Sequence, residues 1–243
     1  MRMLAFARRN TKEILRDPLT LFFGLGFPLI LLGLLSLIAR HAPVEMFRID
    51  SLAPGIAAFG YSFLALFSAL LIAKDRSSAL MMRLLTSPLR AGDYILGYTL
   101  PLIPMAALQS VACLLAALPL GLKLSWNLLL CIAALLPAAL IYIALGLICG
   151  SLLNDKQVGG VCGALLTNLT AWLSGIWFDI ELLGGAFAKI ARLLPFANAV
   201  DAARMALAGD RAGMVAPLLV VAGYAVLFSL LAVGIFARRM RRA

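Results

Sequence analysis

The chain has 243 residues, of which 63% are hydrophobic and only 13% charged, and its mean hydropathy is +1.02. A soluble domain is nearer half apolar and a quarter charged, so a soluble enzyme or binding module is excluded and an all-α, multi-pass membrane protein is expected. The net charge of +10 then bears on membrane topology, because no soluble stretch is long enough to gather it into a nucleic-acid-binding face.

Residues 1–17 read as an amphipathic helix. At 100° per residue Met3, Leu4, Ala7, Thr11, Ile14 and Leu15 share one arc, with Phe6 at its margin; Arg2, Arg9, Lys12, Glu13 and Arg16 lie opposite. Such a helix suits the headgroup region. A cleavable signal is not expected: the first apolar run comes late and no small-x-small site follows it.

Six apolar runs follow, at 18–39, 52–73, 94–118, 126–150, 158–178 and 213–237. Each is long enough to cross about 30 Å of hydrocarbon at 1.5 Å per residue. Pro18 suits a first helical turn, and Pro28, Pro101, Pro104 and Pro137 are expected to kink their spans. An even number of spans puts both termini on one side. Fourteen Lys and Arg residues fall on that side against seven on the other, so both termini are expected in the cytoplasm.

Between spans two and three, residues 74–93 form a cytoplasmic loop that carries Lys74, Arg76, Arg83 and Arg90. Its apolar run, Leu80-Met81-Met82-Arg83-Leu84-Leu85, is too short to cross, and Thr86-Ser87-Pro88 ends it. A short projecting helix of this kind suits a partner protein. In span five, Gly159, Gly163, Thr167, Thr170 and Ser174 recur at helical spacing, with Asn168 beside them. That stripe suits close packing in one bundle, a dimer seam or a substrate-path wall. Trp126, Trp172, Trp177 and Phe178 read as interface anchors.

Residues 179–212 predict two short outer helices, re-entrant or lying at the interface. The first has Leu183, Phe187, Ile190 and Leu194 at helical spacing and is broken by Pro195. The second is capped by Asn198 and ended by Gly209. Asp201 and Arg204, three apart, read as a surface pair.

The missing chemistry narrows the function. No Asp, Glu, Lys, Arg or His lies in the middle third of any span, so an ion- or proton-coupled carrier is not expected. No G-x-x-x-x-G-K-[ST] is present, so ATP cannot be cradled here. Cys113, Cys131, Cys149 and Cys162 all lie in apolar runs and read as small hydrophobes; no metal site is expected. His41 is the single histidine and sits in a polar loop. Energy for uphill transport would have to enter from another protein.

Three stretches resemble one family, the membrane subunits of type-2 ATP-binding-cassette exporters. They are RRNTKEILRDPLTLFFGLGFPLILL (Arg8 to Leu32), AKDRSSALMMRLLTSPLRAGDYILGYTLP (Ala73 to Pro101) and LPFANAVDAARMALAGD (Leu194 to Asp210). The resemblance implies a permease that pairs with a second copy or a related permease and docks on a separate ATPase subunit, which binds ATP and Mg. It implies ATPase coupling at Asp75, Arg76, Met81, Met82, Arg83, Leu84, Leu85, Ser87 and Pro88, with Arg9, Lys12 and Arg16 of the N-terminal helix. Arg16-Asp17-Pro18 matches the family's junction into span one. Pro195, Asp201, Arg204 and Gly209 match the outer motif, and the first three imply an outer gate. Ser77, Ala79 and Met82 stand where many members have Glu, Gly and Glu, and Tyr98 stands where lysine is common. The expected protein is a multi-pass subunit in the inner membrane of a bacterial-type cell, in contact with lipid and with no nucleic acid. Its expected cargo is hydrophobic or amphipathic; polysaccharide export, an ATP-independent facilitator or channel, and a membrane scaffold are the alternatives.

Overall fold

In the computed structural model the described residues are 2–41, 47–77 and 90–240. Among them the secondary structure is helical, with no strand. The amphipathic segment forms α1 (Arg2–Arg16), and α2 (Pro18–His41) follows at once. Asp17 marks the joint: its carboxylate accepts from the Leu19 N–H at 3.1 Å and from the Thr20 hydroxyl at 2.6 Å, capping a helix that begins with proline. The next long helices are α3 (Ile49–Arg76), α4 (Ala91–Ala117) and α5 (Asn127–Leu152).

Inside α2, Phe22–Gly26 is a π turn. Pro28 lacks an N–H and its ring crowds the carbonyl four residues back, so the preceding turn widens and the Phe27 N–H reaches Phe22 O instead.

The predicted fifth span departs from expectation. Asp155–Val158, Gly159–Leu166 and Thr167–Leu173, together α6, run consecutively with 4, 8 and 7 residues, and the middle run is a π-helix. The helix stops at Leu173, short of the expected 178, where Gly175 turns the chain with φ +68°. Among the described residues five helices are long and apolar enough to cross a membrane: α2, α3, α4, α5 and the last, α10 (Val215–Met240).

The outer segment forms α7 (Ile180–Leu183), α8 (Gly185–Leu193) and α9 (Pro195–Ala208). Gly184 divides the single helix expected before Pro195 into two. The following helix begins at Pro195 rather than at Asn198, because proline is favoured at the first helical position; Asn198 instead donates to Leu194 O and Arg192 O, both at 2.8 Å. Gly209, at φ +82°, ends it as expected.

The core is built on α3. Buried residues make up 89% of its apolar window, against 22% for α2 and 17% for α10, so α2 and α10 turn most of their surface outward. The tightest crossing is α3 on α5. A methyl group at Gly146 would overlap Ala65 O and Ser68 Oγ, and one at Gly150 would overlap Ala69 O. Ser68 Oγ donates to Ala65 O within its own helix and, at 3.2 Å, to Ile143 O of α5.

Candidate functional site

One end of the bundle gathers α1, the end of α3, the start of α4 and the end of α5. Two consecutive residues, Asp75 and Arg76, hold it together. The Asp75 side chain points toward α1 and α4. Arg9 Nη1 and Nη2 donate to its two carboxylate oxygens at 2.6 and 2.8 Å, a bidentate pair. Tyr98 OH donates to Asp75 Oδ2 at 2.9 Å. Asp75 is only 1% exposed, and a buried carboxylate is tolerated only when paired and hydrogen-bonded. The α1 helix is therefore the counter-charge that lets α3 end in the interior. Burial, the largest influence on Arg9, opposes its charge; the Asp75 hydrogen bond and the charges of Asp75 and Glu13 together outweigh it, so its pKa stands above the ordinary value.

Arg76 faces the other way. Its Nη1 donates to Gly150 O at 2.7 Å and to Leu153 O at 3.2 Å. It thus places a cation on the unpaired carbonyls at the end of α5.

The docking of α1 is shaped by Gly97. Its missing side chain admits the Phe6 ring, which meets Tyr94 and Tyr98 edge-on at centroid distances of 5.8 and 4.9 Å. Asn10, fully buried, donates from Nδ2 to Gly97 O at 3.0 Å. Glu13 accepts from Arg9 at 2.6 Å and from Lys74 at 3.0 Å. The buried face of α1 is thus Phe6, Ala7, Asn10 and Ile14, rotated from the expected apolar arc, while Leu4 and Leu15 are exposed. Ala7 and Ile14 of the predicted arc thus belong to the protein contact, which extends past the arc to Phe6 and Asn10.

Of the residues expected to couple to a partner, Arg9, Asp75 and Arg76 come together here. Lys12 and Arg16 do not join them and line a groove beside α1 instead. Met81, Met82, Arg83, Leu84, Leu85, Ser87 and Pro88 lie outside the described residues. Sequence reasoning missed Phe6, Asn10 and Tyr98 as members of this site. Asn10 carried a signal: it is the one amide on the arc between Phe6 and Ile14.

The glycine–hydroxyl stripe of α6 does not remain one face. Thr170 and Ser174 are buried; Thr170 Oγ1 accepts from Tyr142 OH at 3.2 Å. Gly159 and Asn168 are exposed, and Gly163 and Thr167 are half-buried. The π-helix at Gly159–Leu166 fits extra residues into each turn, so positions on either side lose the 3.6-residue phase that the spacing assumed. Trp177, read as an interface anchor, packs inward against Phe59 at 5.8 Å, while Trp126 and Trp172 are exposed.

At the opposite end Pro195 opens α9, and Asp201 and Arg204 do not bond each other. Asp201 accepts from Arg192 Nη1 at 2.9 Å, and Arg192 also donates to Glu181 Oε1 from Nε at 3.0 Å and Nη2 at 2.7 Å. Arg204 donates to Ser51 O at 3.1 Å and Gly175 O at 3.2 Å, tying α9 to the start of α3 and the turn after α6. Burial raises the Asp201 pKa even though Arg192 and Arg204 favour its charge. Burial likewise lowers that of Arg204 against the pull of Asp201 and Asp179. Arg192 sits in solvent, and its hydrogen bond to Glu181 raises its pKa. The Arg192–Asp201 pair is therefore asymmetric, with the cost of burial falling on the carboxylate.

Residues 1–208 match the family model described as ABC-2 type transporter. The chain is 29% identical over 234 residues to Nodulation protein J of Bradyrhizobium diazoefficiens, covering 94% of this chain and 86% of that one. It is 26% identical over 230 residues to Nodulation protein J of Sinorhizobium fredii, covering 93% of this chain and 85% of that one.

Proposed function

The chain belongs to the ABC-2 type transporter family, and from that premise we propose that it is the transmembrane subunit of an ATP-driven exporter. It moves a hydrophobic or amphipathic compound, a drug-like molecule, lipid or glycolipid, out of the cytoplasm or the inner leaflet. It performs no catalysis itself; a separate ATPase subunit binds ATP and Mg. Two permease subunits pair, both termini face the cytoplasm, and the loop after α3 is the contact with the ATPase.

The observation that carries this reading is the Asp75–Arg76 junction. A load delivered at the end of α3 reaches α1 and α4 through the Asp75 carboxylate and α5 through Arg76. Ionic and hydrogen-bonded contacts at short distance move these elements as one body, which is what a domain rocking between two states requires. Support for the cargo class comes from an aromatic chain. Phe23 packs against Phe27 and Phe63, Phe27 against Phe63, Phe63 against Phe59, and Phe59 against Trp177, at centroid distances of 5.3 to 6.1 Å. The rings run along α2 and α3 toward the outer segment and carry no charge. Gly159, Gly163, Thr167 and Asn168, on the open part of α6, supply the dimer seam or path wall.

Polysaccharide export is the second reading. Both relatives are named for nodulation rather than for drug or lipid efflux, and aromatic rings suit sugar faces as well as acyl chains.

Co-expression with a candidate P-loop ATPase, purification in mild detergent and reconstitution test the proposal. The expected result is co-purification, ATP hydrolysis that depends on this chain, and loss of transport in Arg83→Glu and Leu84→Asp variants that still insert. Solute flux without ATP and without a bound ATPase would make the protein a facilitator. ATPase association with no flux would make it a scaffold.

A further inference from the structure

A second feature lies beside the junction. Between α1, the start of α2 and the last three turns of α3 runs a groove of about 850 Å³. Its wall is graded along α3. Lys74 stands at its mouth, and Leu71, Leu70 and Phe67 follow along one stripe. Seven residues of helix separate Lys74 from Phe67, about 10 Å at 1.5 Å per residue. The groove thus passes from charged to apolar over the depth of a lipid headgroup and glycerol. Leu70 is exposed while Leu71 and Phe67 each show only 7% of their surface, and on α2 Leu19 and Phe22 are exposed apolar residues.

The charges at the mouth are unbalanced. Arg9 and Lys74 are held by Asp75 and Glu13, and the Asp17 carboxylate caps α2. Arg8, Lys12 and Arg16 also line the groove and have no ion pair among the described residues. We propose that this groove binds the phosphodiester headgroup of an anionic phospholipid, with Arg8, Lys12 and Arg16 around the phosphate and the acyl chains passing over Leu70, Leu71 and Phe67. The exposed Leu19 and Phe22 belong to α2, a helix long and apolar enough to cross a membrane, which favours a lipid over a soluble protein as the occupant. A zwitterionic lipid carries the same phosphodiester but adds a quaternary ammonium that the three cations would repel, and basic pockets between helices at a membrane face are suited to acidic headgroups. The inference concerns the chain alone and holds whether or not the exporter reading is right.

The test uses the purified full chain, delipidated in neutral detergent. It is titrated with dioleoylphosphatidylglycerol or dioleoylphosphatidylcholine, which share acyl chains, with binding read by native mass spectrometry. The expected result is a clear preference for phosphatidylglycerol. Each basic side chain is worth about fivefold, so the Arg8→Gln, Lys12→Gln, Arg16→Gln variant loses about a hundredfold of that preference. The Arg8→Lys, Arg16→Lys variant keeps the charge and should keep the preference. Removing two charges at the opposite end, Lys123→Gln with Arg211→Gln, should change nothing. Equal binding of the two lipids would overturn the proposal, as would a preference that survives the triple variant while the protein stays monodisperse. Full displacement by millimolar inorganic phosphate would make it a free-phosphate site. Release of phosphatidylglycerol in step with ATPase binding would make it a protein seat.

Discussion

The two ends of this bundle handle charge in opposite ways. At the basic end a carboxylate is buried and the arginine that answers it comes from another helix, 66 residues away in the chain. At the other end the bridging arginine, Arg192, is exposed, and it ties together helices that are neighbours in sequence. The first arrangement is obligatory, since Asp75 left alone would be an unpaired charge in the interior. The second is looser, because water can replace the exposed Arg192. A rigid junction at one end and a lightly tied segment at the other suit a protein driven from the first and opening at the second.

The sharpest way to break this contrast is Asp75→Ala. It removes the acceptor of Arg9 and of Tyr98 together. Arg9 is 37% exposed, so water relieves part of the damage and the expected loss is about 2–3 kcal/mol, near the low end for a broken buried pair. A double-mutant cycle with Arg9→Ala should give a coupling of about 2 kcal/mol in denaturant unfolding in detergent. A coupling near zero would mean that α1 docks through Phe6 and Asn10 alone.

Gly97→Ala comes next. The new methyl would meet the Phe6 ring, an overpacking that costs about 1–3 kcal/mol. Since the ring belongs to α1, the expected sign is faster tryptic cleavage after Arg8 and Arg9. In a Phe6→Ala background the same substitution should cost almost nothing. An equal cost in both backgrounds would place the strain within α4.

Much of the frame could be read from the chain, because apolar length is dictated by bilayer thickness. The run at 52–73 is the middle of Ile49–Arg76, and 126–150 nearly coincides with Asn127–Leu152. The fifth segment could not be read this way. Periodicity assumes a uniform helix, and the glycine-rich π-helix breaks the phase while Gly175 cuts the length. The junction is half legible: the sequence points to both Arg9 and Asp75 as functional, yet as contacts for a partner rather than for each other. A helical wheel places Arg9 on the polar face, and only the packing of α1 on α4 shows that this edge meets Asp75.

At the opposite end the expected effects are smaller. Arg192→Ala should cost under about 1 kcal/mol, and less as ionic strength rises, because Arg192 is exposed and its charge is screened. A loss as large as that of Asp75→Ala would erase the difference between the two ends.

The smallest effect, and the one with the clearest sign, is that of pH on Asp201. Its pKa in the folded chain is raised from the ordinary value of 3.8, first by burial, against the opposing charges of Arg192 and Arg204. The folded state therefore holds this proton more tightly than the unfolded state does. Between the ordinary value and the raised one, stability falls as pH rises, and the penalty is fully present above that window. Asp201→Asn removes the titration while keeping an oxygen to accept from Arg192. The variant should gain on the parent as pH rises through the window and stay ahead at neutral pH, whereas below the window their difference should no longer change with pH. Thermal unfolding of both proteins across mildly acid pH reads this directly. If the parent instead gains on the variant as pH rises, the Arg192 charge outweighs burial. The outer tie would then be obligatory in the manner of the junction at Asp75.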